Sequence, residues 1–392
     1  MPVTVRASEA QDLATPRNDP RVVADAALKR ERTRAWLEQS GREGVILSRR
    51  DNFAWLSAGG DSRVVECTEL GFGSAVITRR GQYIVAHSMD AARLLEEQVP
   101  GQGYELVSMR WYQGDPRERA KDLAGPGSAA ADTPWPGTEY SEPDLVDLHY
   151  PMTDLEIGRC RWLGRQSDEI LTETARSLKP GMSENEAATA MRIGHLRRGL
   201  DVDVLILGSD ERVFRYRHPM PTDKPIQKYA LLHSVARRWG LHSNVTRCVH
   251  FGEPSVEIRR VCEAAATIEG RLFAKLHAGV RFADILEWQK AWYKELGFPE
   301  EWHYHFQGGP TGYVIVDATR CLTDKVVQVN QPFEWFITIT GTKVGELALL
   351  TKSGLEIASQ GNHWPTYFVE TDNGVVEVPG LMQLEIEERG SI

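Results

Sequence analysis

The sequence predicts an α/β (α+β) protein of two domains. Three features point there. At 392 residues the chain exceeds what one hydrophobic core usually spans. Short apolar and β-branched runs alternate with amphipathic stretches of helical period. A segment rich in Gly, Pro, Ala and Ser, residues 125–143, falls between two such sets and reads as a linker or loop. The expected divisions are a flexible arm at 1–20, one domain at 21–150 and a second at 151–392.

In the first domain an amphipathic pattern from Asp25 to Ser40 ends at Gly41, a helix stop. Strand-like runs follow at Gly44–Leu47, Phe53–Leu56, Ser74–Thr78 and Tyr83–Ala86, then a helical stretch at Asp90–Gln98 and a strand at Tyr104–Met109. The second domain opens with a long helical pattern, Thr153–Ser177. After the turn at Lys179–Met182, Ser183 and Glu186 form a capping box for a helix that Gly199 ends. Strands are expected at Val202–Leu207, Tyr229–Ala236 and Val245–Phe251, helices at Ser255–Leu276 and Phe282–Leu296, and strands again at Phe333–Ile339 and Leu347–Leu350.

Composition narrows the function classes. With 41% hydrophobic and 26% charged residues the chain reads as an ordinary soluble globular protein. A net charge of −9 argues against a nucleic-acid partner, which needs a basic face. No run approaches the roughly 18 apolar residues of a membrane span, and the first residues lack a signal-peptide core. Five scattered cysteines without CxxC spacing suit a reducing cytoplasm.

Two segments, Leu231-Leu232-His233 through Ser243-Asn244-Val245-Thr246-Arg247 and Gln307-Gly308-Gly309-Pro310-Thr311-Gly312, resemble the pita-bread hydrolases, the creatinase, prolidase and methionine-aminopeptidase family. The Lys179-to-Ala188 signature between two helices adds to the likeness. Asp51-Asn52-Phe53-Ala54-Trp55-Leu56 resembles the creatinase-type N-terminal domain. The resemblance implies a creatinase-like first domain, a pita-bread second domain and a homodimer. Peptidases of that family hold two divalent metals with two Asp, one His and two Glu. The matching positions here are His233, Asn244, Gly309, Phe336 and Gly345, with no carboxylate among them. Paired divalent ions need anionic oxygen donors, so neither metal nor other cofactor is expected.

Candidate chemistry then falls to histidines. His218, in Tyr216-Arg217-His218-Pro219, matches the histidine that acts as general acid–base in metal-free creatinase. An imidazole titrates near neutrality and both gives and takes a proton; the alternative is an ordinary loop histidine. His233 and Asn244, eleven residues apart, fall on one face of a strand–turn–strand, as hydrogen-bonding or structural residues. On a strand His303 and His305 would share a face. They would donate to an anionic substrate group or, with His218 or His233, hold zinc. Gln307 and Tyr216 flank the same site. Gly308 and Gly309 would admit a substrate or another strand close to the backbone. Trp335 and Phe336 are core residues or an aromatic floor for a flat substrate. Glu346, one place past the lost ligand, points away from the site. The resemblance to creatinase also suggests that Arg63, with Phe53 or Phe72, reaches a neighbouring subunit's site and clamps a substrate carboxylate; a surface arginine is the alternative.

The leading expectation is a metal-independent enzyme acting on a small amino-acid-derived molecule. His218 serves as acid–base, helped by His233 and His305. The reaction is non-hydrolytic C–N bond chemistry, such as condensation, cyclisation or elimination, in specialised metabolism. The alternatives are cofactor-free amidohydrolysis of creatinase type and a non-catalytic binding protein.

Overall fold

The computed structural model describes residues 16–125, 127–361 and 363–385. Residues 1–15 of the expected arm lie outside this range. Residues 16–20 are fixed: Arg17 donates to the carbonyls of Ala58, Ser57 and Gln98 at 2.6–2.7 Å. The chain divides into two compact units, one comprising 16–156 with 239–241, the other 157–238 and 242–385.

In the first unit α1 (Pro20–Gln39) starts where the sequence supplies a cap and a proline: Asp19 accepts from the Arg21 amide at 2.8 Å. Its inner face buries Val22, Ala26 and Leu37, and also Lys29, whose ammonium pairs with Asp25 and Glu156 at 2.7 and 2.6 Å. The sheet runs β4 (Glu105–Met109), β3 (Gln82–His87), β2 (Leu70–Thr78), β1 (Gly44–Arg49), β5 (Ala129–Ala131) and β6 (Glu139–Tyr140). Two expectations fail here. Phe53–Leu56 belongs to a helix, α2 (Arg50–Leu56), because a four-residue apolar run carries no alternation to distinguish strand from buried helix. The segment 125–143 is not a linker. Its Ala129–Ala131 run pairs in parallel with β1 inside the sheet, where small residues pack beneath α4 (Pro116–Ala124). The stretch after Asp90 winds as α3 (Ala91–Arg93) into a π turn at Leu94–Gln98, and α5 (Glu142–Leu148) closes the unit.

Helix α6 (Asp154–Ser177) leads into the second unit. The capping box forms as expected: Ser183 Oγ accepts from the Glu186 amide at 3.2 Å and Glu186 from the Ser183 amide at 2.8 Å, starting α7 (Glu184–Arg197). The sheet that frames the site is ordered β18 (Leu381–Leu384), β9 (Leu241–Phe251), β8 (Tyr229–Arg238) and β7 (Asp201–Ser209). Between β7 and β8 lies α8 (Glu211–Arg215). Helices α9 (Val256–Lys275) and α10 (Phe282–Glu295) bury apolar faces against it and against a second sheet. That sheet runs β10 (Gly308–Pro310), β11 (Gln331–Trp335), β14 (Leu347–Thr351) and β15 (Gly354–Ile357). The strand expected over Phe333–Ile339 breaks at Phe336. Past the break β12 (Ile337–Ile339) pairs with β13 (Thr342–Val344) as a separate hairpin. A further hairpin, β16 (Thr366–Thr371) with β17 (Gly374–Pro379), completes the unit.

Candidate functional site: histidines and a lysine around Phe336

Phe336 is the centre of the site. Its side chain is buried, its amide donates to the Gln307 carbonyl at 3.1 Å, and its ring meets His233 (6.3 Å between centroids), His305 (5.8 Å) and Phe306 (5.5 Å) edge-on. His233 extends from β8, and its Nδ1 lies 2.8 Å from Thr246 Oγ1. Strand alternation puts Asn244 and Thr246 of β9 on one face. The Asn244 amide donates to Glu334 Oε1 of β11 at 2.5 Å.

Lys343 completes the cluster. It sits opposite Thr338 in the β12–β13 hairpin, 3% exposed, with its ammonium 4.6 Å from the centroid of Phe336. Tyr293 holds that hairpin, accepting from the Thr338 amide at 3.1 Å and donating to its carbonyl at 3.2 Å. Lys343 Nζ forms no ion pair or hydrogen bond with any other described residue. The sequence reading missed its role. Its trace was a lone cation between Thr342 and Val344 of a short strand, two places before Gly345.

His218 and His305 come from separate loops, and ion pairing brings those loops together. Arg217 pairs with Glu301 and donates to Thr340 Oγ1 at 3.1 Å, while Glu301 accepts from the Thr340 amide at 3.0 Å. Pro219 seats against Gly208 of β7, where any Cβ would lie 2.4 Å from the proline ring. The two imidazoles meet Nε2 to Nε2 at 3.1 Å with planes at 83°. Their tautomers follow from one contact. His305 Nδ1 faces the Phe306 carbonyl, which only accepts, so it carries the hydrogen. Neutral His305 then has a bare Nε2, and His218 must donate its Nε2 hydrogen to it. The lone pair of His218 lies on Nδ1, which forms no hydrogen bond with described residues.

The electrostatics keep these rings neutral at pH 7. Burial, then the Lys343 charge, lowers the pKa of His218; the same two causes bring His305 down to about 3. His233, fully buried, is pushed well below its ordinary value by burial first and by Lys343 next. Desolvation lowers Lys343 to about 7 against the pull of Glu334, and raises Glu334 to about 8.

Behind β9 lies a second buried cation. Arg247 forms ion pairs with Glu346 and Asp168, the latter at 2.6 Å, and donates to the Ser359 carbonyl at 2.9 Å. Glu346 is thus turned away from the site, as strand alternation implies.

Residues 159–334 match the profile of metallopeptidase family M24. That segment is an M24 domain. Across both units the chain is similar to solved structures of dipeptidases. A Bacillus anthracis Xaa-Pro dipeptidase is 19% identical over 92% of this chain and 100% of its own, with a TM-score of 0.73. The dipeptidase PepE of Mycobacterium ulcerans is 18% identical over 93% and 99%, with a TM-score of 0.75. The N-terminal domain of chickpea SPT16, a FACT complex subunit, is 10% identical over 87% and 97%, with a TM-score of 0.64. These likenesses establish the two-domain pita-bread fold. No curated protein matches the sequence.

The M24 domain's residues do not fit a pair of divalent ions. The five matching positions carry no carboxylate, and nearby Glu334 already accepts from a backbone amide. Among the described residues no three His, Cys, Asp or Glu are arranged to hold a metal. At Gly309 a Cβ would stand 2.4 Å from the Asp317 carbonyl, so the backbone leaves no room there for the side chain of a metal ligand.

The structure gathers His218, His233, His305, Asn244 and Phe336 with Lys343. Gln307 is buried beside them, its Nε2 donating to the His305 carbonyl at 2.7 Å. Tyr216 lies exposed on the chain leading to His218, under the guanidinium groups of Arg215 and Arg212. His303 is placed otherwise than expected. Residues Glu301–Tyr304 form a 3-10 turn, not a strand, so His303 faces outward beside Glu300, stacked on Trp302. Trp335 lies in the helix-packed core, stacked on Phe333, and not on the floor of the site. Gly308 and Gly309 admit β11 and the Asp317 carbonyl rather than a ligand. Arg63 belongs to the first unit, where it pairs with Asp61 at 3.1 Å. No described helix is long and apolar enough to cross a membrane.

Proposed function

We propose that the protein is a metal-independent enzyme in which His218 is the general acid–base for a small amino-acid-derived substrate. The observation that supports this most is the fixed polarity of the His218–His305 pair. His305 is oriented by the Phe306 carbonyl and accepts from His218, leaving the His218 Nδ1 lone pair for a substrate proton. On taking that proton the imidazolium keeps its Nε2 hydrogen on His305, which stabilises the new charge, and Nδ1 then returns the proton to the product. The lowered pKa of His218 keeps it in its basic form at neutral pH.

The reaction proposed is C–N bond formation or cleavage without water, by condensation, cyclisation or elimination, because the five positions that match the family's metal ligands carry no carboxylate to activate water. The Phe336 floor and the half-exposed Phe306 and Tyr216 rings favour a flat or apolar group next to the reacting centre. A cytoplasmic homodimer is part of the proposal, with Arg63 serving a neighbour's site.

The test is mass-spectrometric screening of amino acids and their amide and amine derivatives with wild-type, His218→Ala and His305→Ala proteins, with and without chelator. Turnover that survives chelation and is lost in His218→Ala is expected. Turnover abolished by chelator, or retained in His218→Ala, would overturn the reading. Mixing Arg63→Ala with His218→Ala chains should restore activity in hybrid dimers; no recovery would remove Arg63 from the neighbour's site.

A further inference from the structure

We infer that Lys343 is the docking point for a carboxylate on the ligand of this site. The inference rests on the proposed function for the identity of the site, and it adds the substrate class: a small carboxylic acid with a flat apolar body.

A side chain 3% exposed that carries an ammonium group is costly to desolvate unless something of opposite charge meets it. Among the described residues Lys343 has no such partner. Three imidazoles face it: His233 from β8, His218 from the loop before that strand, and His305 after the 3-10 turn. All are neutral near pH 7. Glu334 of β11 is within electrostatic reach but outside ion-pair distance, and spends one oxygen on the Asn244 amide. From β9, Cys248 Sγ meets the Lys343 carbonyl at 3.8 Å and Thr342 Oγ1 at 3.7 Å, and not the ammonium.

The aromatic ring of Phe336 below the ammonium gives a cation–π contact, which leaves its hydrogens free to donate. His218 Nδ1 and His233 Nε2 also lack protein partners among the described residues. A carboxylate on Lys343 would place the rest of an amino-acid-like molecule over Phe336, toward the acid–base pair.

The binding is linked to protons. Lys343, lowered to about 7 in the free protein, is mostly neutral at pH 8, so an anion that binds the ammonium form must draw a proton from solution.

The test is calorimetric titration with benzoate and its neutral isostere benzamide at pH 8, in two buffers of different ionisation enthalpy. Wild-type protein is expected to prefer benzoate and to take up protons as it binds. Lys343→Met should bind benzoate roughly ten- to hundred-fold more weakly, with no proton uptake and no preference over benzamide. Lys343→Gln is read in the same way should the Met variant not fold. Benzoate binding is read without turnover, so its outcome is separate from that of the acid–base reading. Equal binding of the two ligands, unchanged benzoate affinity in Lys343→Met, or no benzoate binding by wild type would each overturn it.

Discussion

Arg247 and Lys343 are both fully buried cations, on opposite sides of β9, and they differ in what meets them. Arg247 has two carboxylates and two backbone carbonyls; Lys343 has an aromatic face. A charge whose partners are all inside the fold secures structure. One whose partner is missing keeps an unmet interaction that a ligand can supply. Two imidazoles beside Lys343 follow the same pattern: among the described residues His218 Nδ1 and His233 Nε2 have no partner.

Substitution should separate the two cations. Arg247→Met leaves Asp168 and Glu346 buried and uncompensated, and should cost about 3–5 kcal/mol in urea unfolding. Lys343→Met should leave stability unchanged or raise it, since it removes an unpaired buried charge. Comparable losses in both variants would break the distinction.

The next largest effect concerns the closed metal position. Gly309→His should destabilise by about 1–3 kcal/mol through its contact with Asp317, and should bring no bound metal by inductively coupled plasma mass spectrometry. A stable variant with one metal per chain would show that the site is merely one ligand short.

Proton linkage sharpens the comparison further. Lys343 titrates near 7 when folded and near 10.4 when unfolded, so the unfolded chain binds more protons between these values. Its burden is therefore full below pH 7 and fades as pH rises toward 10. The advantage of Lys343→Met over wild type should shrink over that range in thermal melts. A pH-independent difference would contradict the shifted amine.

A smaller effect belongs to the first unit. Burial raises Glu142 to about 8, with Asp132, raised to about 7, close by and Asn52 donating to both. Here the folded state binds more protons between about 4.3 and 8, so stability falls as pH rises through that window. Glu142→Gln should gain on wild type from pH 5 to pH 9; parallel melting curves would remove Glu142 from this role.

Much of the architecture was legible because its signals are local. The Ser183–Glu186 box, the stop at Gly199 and the paired spacing of His233 and Asn244 all read directly. What the sequence hid depends on distant contacts. Ala129–Ala131 looks like linker until β1 and α4 are laid beside it. His303 and His305 look like strand partners until Glu301 is drawn to Arg217 and the chain turns. Lys343 became part of the site only when the break at Phe336 brought the β12–β13 hairpin under the histidines.

The central claim rests on the protonation of two rings, and long-range nitrogen–proton NMR of the histidines reads it directly. At pH 7 the account predicts His218 neutral with its hydrogen on Nε2, and His305 neutral with its hydrogen on Nδ1. A charged His218, or one protonated on Nδ1 alone, would leave no base facing the substrate and would contradict it.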